Sequence, residues 1–203
     1  MLDSIFEIFW LLGLVVGSVI RGVYAKRPKK DEIAVDYHIR LEGLLLFLSS
    51  LGLIVFPLFY VFSPWLDFAD YHLPAWAGWL GVAIFAFALW LLWRSHADLG
   101  RNFSPSVQLK KEHVLVTQGV FQLIRHPIYA AHGVWGIAQA LLLQNWIAGL
   151  SMLVFFLPLY LVRVPREEQM MLERFGEEYR VYMKQTGRVL PKFSNLGSGR
   201  TRR

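Results

Sequence analysis

The chain has no cysteine, and only 18% of its 203 residues are charged. Without cysteine it can form no disulfide bond, no thiolate metal site and no cysteine nucleophile. Such a low charge is unusual for a soluble domain, because about 25% of the residues in such domains are charged. Hydrophobic residues instead make up 55% of the sequence. This composition indicates a protein that crosses a membrane several times.

Two kinds of ligand site are also missing from the sequence. The histidines outside the motifs described below have no metal-ligand spacing, so we expect no metal ion. They are His38, His72, His96 and His132. No glycine-rich phosphate loop follows a predicted strand, which excludes a Rossmann-type nucleotide site. The chain begins with acidic residues and no basic segment, which favours a first membrane helix over a cleaved signal peptide.

The apolar runs predict an all-α polytopic membrane protein with five transmembrane helices. About 20 apolar residues are needed to cross a bilayer. The last apolar block is too long for one helix and is broken at 144–146, so it predicts a helical hairpin with short arms. The predicted spans are 5–24, 41–62, 75–93 and the two arms of 127–162.

The basic residues support this layout. All 21 Lys and Arg residues lie in segments 21–40, 94–126 and 163–203, and none lies in 63–74 or 144–146. Five spans place every one of them on the same side, which the positive-inside rule makes the cytoplasmic side. We therefore expect the N-terminus outside and the C-terminus in the cytoplasm. The membrane would be a bacterial or archaeal inner membrane, or the endoplasmic reticulum.

Three parts follow from this layout. Residues 1–93 form an N-terminal region with three spans. Residues 94–193 form a core with a cytoplasmic loop, the hairpin and a C-terminal helix, and residues 194–203 have the composition of a disordered tail. The helical spacing predicts one apolar face on the C-terminal helix. That face consists of Met171, Phe175, Tyr179 and Tyr182.

The segment 113–129 is the first candidate for chemistry, because it is polar and basic at a membrane boundary. Pro127 suits the first turn of a helix, where its missing N–H has no partner. The free N–H groups of such a turn favour an anion, and Arg125 and His126 add positive charge there. An Arg-His pair that merely extends to the membrane surface explains the pattern equally well.

A second candidate group lies where the fifth predicted span ends. Arg163 and Glu167 are four residues apart and share a helix face, so a simple surface ion pair is the plainer interpretation. An antiparallel hairpin, however, brings them and Glu168 beside the start of the fourth span. Carboxylates there would suit a cationic ligand, and arginines would suit an acidic substrate.

Two further polar residues have open interpretations. Glu42 lies just inside the second span, where a buried acid is costly, so it is either functional or paired with Arg40. Asn145 lies between the arms of the hairpin, on the side away from the basic segments. We interpret Asn145 mainly as a turn residue.

These motifs together resemble one known family. Segment 113–129 reads HVLVTQGVFQLIRHPIY, and the hairpin is followed by Arg163, Glu167-Glu168, Phe175-Gly176, Tyr179 and Tyr182. In order and spacing, they resemble the isoprenylcysteine carboxyl methyltransferase family, which is related to phospholipid methyltransferases. The resemblance covers about residues 99–191 and includes Arg188 and Pro191. The three N-terminal spans contain no matching motif.

The resemblance implies a membrane methyltransferase that uses S-adenosylmethionine and releases S-adenosylhomocysteine. It implies that Arg163 faces the substrate, and Arg125 and Glu168 are the other polar candidates near the reaction centre. The implied cofactor-binding residues are Gln108, His113, Val114, Leu115, Val116, Phe121, His126, Pro127, Ile128, Tyr129 and Glu167. Phe121 stands where the family usually has tyrosine, so a ring hydroxyl is lost while stacking is retained.

The expected acceptor is lipophilic and enters from the bilayer among membrane lipids, with no role for nucleic acid. The resemblance favours O-methylation of an isoprenylcysteine-type carboxylate. An amine acceptor, such as a phospholipid, remains an alternative and would need a general base. Sterol-reductase-like enzymes that use NADPH have a similar RHPxY segment and form another alternative. A lipid-binding protein without enzymatic activity is the last.

Overall fold

Helices build most of the protein. The computed structural model describes residues 4–24, 33–36, 40–100, 108–110 and 114–192. The helices are α1 (Ile5–Tyr24), α2 (Arg40–Ser50), α3 (Phe56–Phe62), α4 (Ala75–Leu99), α5 (Pro127–Leu143), α6 (Ala148–Phe175) and α7 (Glu177–Gln185). Two short strands, β1 (Ile33–Asp36) and β2 (Gln108–Lys110), pair in antiparallel fashion. The predicted all-α class therefore describes the membrane part, and the strand pair is an addition that the sequence did not predict.

Four segments in the described part of the chain are long and apolar enough to cross a membrane. They are Ile5–Tyr24, Leu41–Phe62, Ala75–Leu99 and Ala148–Phe175. These are the helices of an integral membrane protein. Helix α5 is apolar but has only 17 residues, or about 25 Å of helix against a hydrocarbon core of about 30 Å. By length alone, the predicted fifth span is therefore not confirmed.

A buried polar cluster joins the helices inside the apolar layer. Between α2 and α3 the chain makes a π-helical turn, Leu51–Val55, and such a turn frees a backbone carbonyl. The carbonyl of Gly52 accepts hydrogen bonds from Ser151 Oγ at 2.8 Å and from Gln139 Nε2 at 3.1 Å. Gln139 Oε1 in turn accepts from the indole N–H of Trp10 at 3.2 Å. Residues of α1, α5, α6 and the π turn are thus held in register.

The two predicted loops that lack basic residues meet at one end of the helices. Asn145 is completely buried, and its amide donates to Leu66 O and to Asp70 Oδ1, each at 2.7 Å. Its carbonyl oxygen accepts from the N–H groups of Ile147 at 3.0 Å and Ala148 at 2.9 Å. Asn145 therefore caps the start of α6 and fastens it to the loop after α3.

At the opposite end, α6 continues farther than the sequence indicated. It runs to Phe175 with Pro158 and Pro165 inside it, so Arg163 lies within the helix and not at its end. Gly176, with φ of +54°, ends α6 and separates it from α7. The prediction of one continuous apolar face is therefore wrong. Met171 and Phe175 end α6, while Tyr179 and Tyr182 are buried in α7.

Candidate active site

One cavity of about 640 Å³ opens among the helices. Apolar side chains from the middle of α1, α2 and α6 line it, including Leu14, Leu46 and Leu159. Charged side chains line it as well, including Arg125, which precedes α5, and Glu167 of α6. Segment 114–129 contributes to the same wall. The cavity therefore joins a polar wall to an apolar lining, and one molecule with a polar and an apolar part would fit both.

Most of the site residues predicted from the sequence face this cavity. They are Val114, Leu115, Val116, Phe121, Arg125, His126, Pro127, Ile128, Tyr129, Arg163 and Glu167. Gln108 lies in β2, and its side chain is outside the described part. His113 also lies outside the described residues. Glu168 is not among the lining residues, because it lies behind the wall with 4% of its surface exposed.

The segment that follows α7 holds the start of α5 in place. The N–H of Arg125 donates to Gly187 O, and the N–H of His126 donates to Arg188 O, each at 2.9 Å. The N–H of Gly187 donates back to Leu123 O at 3.3 Å. These bonds belong to a parallel bridge between Ile124 and Gly187. Two sequence segments that are far apart thus form one short piece of sheet beside the cavity.

Glu168 neutralises the cations behind the wall. Its Oε1 accepts from Arg125 Nη2 at 3.0 Å and from Arg188 Nε at 3.2 Å, and it lies 3.3 Å from His126 Nε2. The Nη1 of Arg125 donates to the carbonyls of Met183 and Thr186. All three guanidinium nitrogens of Arg125 therefore donate hydrogen bonds, to Glu168 of α6 or to carbonyls at the end of α7. The structure gives Glu168 the geometry of a positioning residue, which holds the segment before α5 by charge-assisted hydrogen bonds.

Glu167 lies at the cavity and collects three polar side chains. The hydroxyl of Tyr129 donates to its Oε1 at 2.5 Å. Arg163 Nη2 lies 3.3 Å from the same oxygen, which is the ion pair that the spacing of the two residues suggests. His126 Nδ1 lies 3.5 Å from Oε2. Arg163 also reaches Glu42, with 3.4 Å between Nη1 and Oε1, so Glu42 belongs to the same charged group.

His126 lies between two carboxylates. Burial acts to lower the pKa of its imidazole, but hydrogen bonds to Glu167 and Glu168 outweigh burial and raise that pKa above its ordinary value of 6.5.

Burial raises the pKa of Tyr182 to about 12. Its hydroxyl is therefore protonated at neutral pH, and it donates to Phe121 O at 2.6 Å. That bond ties α7 to the ring which lines the cavity.

The local geometry explains why the 113–129 motif has a glycine at position 119. Gly119 has φ of +60°, and a Cβ atom there would lie 2.0 Å from Asp98 Oδ2. Asp98 Oδ2 accepts from the N–H of Val120 at 2.9 Å, and Asp98 Oδ1 accepts from Arg94 Nη2 at 2.7 Å. A side chain at position 119 would displace this carboxylate. Glycine therefore lets the loop 114–121 dock on the end of α4.

Sequence reasoning missed two cavity residues, Arg21 and His132. Nη1 of Arg21 lies 3.4 Å from Nε2 of His132, and both side chains line the cavity. One signal was available, because Arg21 ends an apolar span, where a charged residue is costly and often functional. His132 also lies one helical turn after Ile128, on the motif's face of α5.

Among the described residues, no cluster of three or more metal-ligating side chains exists.

Comparisons with known proteins agree with the sequence resemblance. Residues 79–173 match the pattern of the isoprenylcysteine carboxyl methyltransferase family. Protein-S-isoprenylcysteine O-methyltransferase B of Arabidopsis thaliana is 31% identical over 94 residues, which are 45% of this chain and 48% of that protein. The Homo sapiens protein-S-isoprenylcysteine O-methyltransferase is 31% identical over 138 residues, covering 64% of this chain and 49% of the relative. The chain thus spans about half the length of these relatives.

A solved structure has a similar fold. It is the eukaryotic intramembrane Ras methyltransferase ICMT (isoprenylcysteine carboxyl methyltransferase), determined without a monobody. The alignment covers 91% of this chain and 62% of that one, with a TM-score of 0.54 and 23% sequence identity. At that identity, the likeness concerns the fold. The resemblance that the motifs suggested is confirmed, and this family implies a methyl donor.

Proposed function

We propose that this protein is a membrane-embedded methyltransferase that uses S-adenosylmethionine to methylate the carboxylate of an isoprenylcysteine-type acceptor. One observation carries the proposal. Most of the predicted site residues line one cavity, which is also lined by apolar side chains from the middle of α1, α2 and α6. A polar cofactor and a lipophilic acceptor require such a combination. The sequence comparisons support the same activity.

The side chains present fit the proposed cofactor. When bound, S-adenosylmethionine would supply the methyl group of its sulfonium cation. This methyl group would pass to the acceptor oxygen, while the electron pair of the broken S–C bond stays on sulfur. Glu167 would bind on the cationic side, because a carboxylate and the faces of Tyr129 and Phe121 attract a positive charge. Segment 114–116 would form the adjoining wall. His126 keeps Glu167 oriented through its 3.5 Å contact.

The acceptor side requires positioning more than acid-base chemistry. A carboxylate is already a charged nucleophile, so no general base has to remove a proton from it. The cavity has to hold the acceptor in line and keep water away. Arg163 remains our candidate for the residue that faces the acceptor. Glu168 would act behind the wall, where it holds both His126 and the cavity-lining Arg125.

The proposal includes a membrane orientation. The basic ends of α1 and α4 and the start of α5 would face the cytoplasm, where a soluble cofactor is available. Helix α5 would then be the fifth span, with the adjacent bilayer thinned to match its length. The apolar lining would let the acceptor enter from the lipid. The membrane would be a bacterial or archaeal inner membrane, or the endoplasmic reticulum.

Binding and transfer assays test the proposal. Purified protein should bind S-adenosylhomocysteine and should transfer a radiolabelled methyl group to a synthetic farnesylcysteine analogue. Total membrane lipids serve as the second acceptor, and labelling of phospholipid amines alone would replace the carboxylate by an amine. Binding of NADPH without binding of S-adenosylhomocysteine would exclude a methyltransferase.

A further inference from the structure

Arg21 and His132 form a polar pair at the cavity wall, and Arg21 lies outside the segment 79–173 that matches the family. His132 Nδ1 lies 2.7 Å from the carbonyl oxygen of Ile128. A carbonyl can only accept, so Nδ1 carries the hydrogen, and a guanidinium can only donate, so the lone pair of Nε2 is the acceptor toward Arg21. Arg21 Nη1 donates to that lone pair at 3.4 Å. The partner of the Arg21 guanidinium is therefore a neutral ring.

The other two arginines at the cavity have carboxylate partners. Arg163 lies 3.4 Å from Glu42 and 3.3 Å from Glu167. Arg125 lies 3.0 Å from Glu168. Among the described side chains, by contrast, no carboxylate forms an ion pair with Arg21. Of the three guanidinium groups at the cavity, Arg21 is thus the one whose positive charge the described residues do not neutralise.

A cation at a cavity wall with no carboxylate partner among the described residues has to be accounted for. A charge at the end of a membrane helix can extend to the aqueous surface, and the C-terminal dipole of α1 favours a cation in its last turn. The side chain of Arg21, however, reaches across to the ring of His132. That ring is stacked on Phe156 at 5.4 Å between centroids and is 8% exposed. The contact holds the charge at the cavity wall.

We propose that Arg21, oriented by His132, binds the anionic carboxylate of the lipophilic acceptor and so selects acidic acceptors. This inference rests on the proposed function and deepens it. Arg163 is already balanced by Glu42 and Glu167, so an incoming anion gains less attraction from it. A single donor contact from Arg21 to one carboxylate oxygen leaves the other oxygen available as nucleophile. The neutral tautomer of His132 accepts from Arg21 without competing for its charge.

A binding measurement on the full-length protein tests the inference. The ligands are N-acetyl-S-farnesylcysteine and its primary amide, which differ in the charge of one group, each titrated with saturating S-adenosylhomocysteine present. Wild-type protein should bind the carboxylate more tightly by about 10- to 100-fold, as expected for a hydrogen bond to a charged group. Arg21→Gln should remove most of that preference and leave the affinity for the amide unchanged. Arg21→Lys should retain part of it.

Two further variants separate charge recognition from structural damage. Arg180→Gln removes a surface arginine that pairs with Glu177 at 3.4 Å, and its preference should equal that of the wild type. His132→Leu should weaken the preference, because Arg21 loses its orienting partner. If His132→Leu lowers the affinity for both ligands equally, His132 only shapes the cavity and its proposed role is wrong.

The failures of the two proposals are distinguishable. Wild-type protein that does not bind S-adenosylhomocysteine contradicts the proposed function itself. Wild-type protein that binds S-adenosylhomocysteine but does not distinguish carboxylate from amide contradicts only the role of Arg21. An unchanged preference in Arg21→Gln does the same.

Discussion

Arg163 connects Glu42 of α2 with Glu167 of α6, at 3.4 Å and 3.3 Å respectively. Glu42 is 1% exposed and Arg163 is 9% exposed, so neither charge is solvated by bulk water. A helix outside the family pattern is thereby fixed to the carboxylate that we assign to the cofactor. Any change in the position of α2 must act on Glu167 through this pair.

Replacing Glu42 should therefore destabilise the protein and weaken cofactor binding. Removing one partner of a buried ion pair typically costs about 3–5 kcal/mol. We expect Glu42→Gln to lower the midpoint of thermal unfolding in detergent and to reduce the affinity for S-adenosylhomocysteine. The matched control is Glu177→Gln on the exposed face of α7, which should change neither. A wild-type midpoint for Glu42→Gln would mean that the pair does not stabilise the fold.

Glu167→Ala should weaken the binding of S-adenosylmethionine about 10- to 100-fold while the protein remains folded. The carboxylate accepts from Tyr129 and pairs with Arg163 at the cavity surface. Loss of a hydrogen bond to a charged group costs about 1.5–3 kcal/mol, or roughly 10- to 100-fold in affinity. Isothermal titration in detergent measures the loss. Unchanged affinity would show that Glu167 does not bind the cofactor.

The stability of the protein should depend on pH through His126. Its pKa in the folded protein is raised above 6.5 by Glu167 and Glu168. A raised pKa stabilises the fold fully below the pKa of the unfolded chain, and the stabilisation disappears as the pH rises through the folded value. The unfolding midpoint of wild type should therefore exceed that of His126→Asn most at acidic pH. The gap should narrow as the pH rises above 6.5.

The comparison of wild type with His126→Asn can also contradict this prediction. If the gap between wild type and His126→Asn widens with rising pH, or does not change, the imidazole is not held as a cation between the two carboxylates. His72→Asn is the matched histidine control, because residue 72 lies in the loop far from the basic segments, and its pH profile should equal that of the wild type.

The sequence predicted the parts of the site that depend on local spacing. Arg163 and Glu167 pair because four residues make one helical turn, and Pro127 starts α5 because it needs no N–H partner. The roles of Glu168 and Arg188 could not be predicted in this way. Glu168 pairs with both Arg125 and Arg188, and Arg188 reaches it through a sheet bridge between Ile124 and Gly187, which arises only when α7 folds back.

The length of α6 could not be predicted from the local sequence either. Pro158 and Pro165 are expected to bend or end a helix, because each removes a backbone hydrogen bond. Tertiary packing nevertheless keeps α6 continuous to Phe175. Arg21 and His132 meet across two helices, and no spacing within one helix could indicate their contact.

Gly119→Ala should displace the cofactor wall. The φ of +60° is unfavourable for alanine, and its Cβ would lie 2.0 Å from Asp98 Oδ2, which would break the hydrogen bond to the N–H of Val120. We expect a loss of about 1–3 kcal/mol in unfolding free energy and weaker binding of S-adenosylhomocysteine, since residues 114–116 and Phe121 line the cavity. Gly133→Ala is the matched control, because nothing lies within 4 Å of a Cβ there. In helix α5 that control should be neutral or stabilising by up to about 1 kcal/mol. Equal behaviour of the two variants would show that the contact between Asp98 and Val120 does not position the loop.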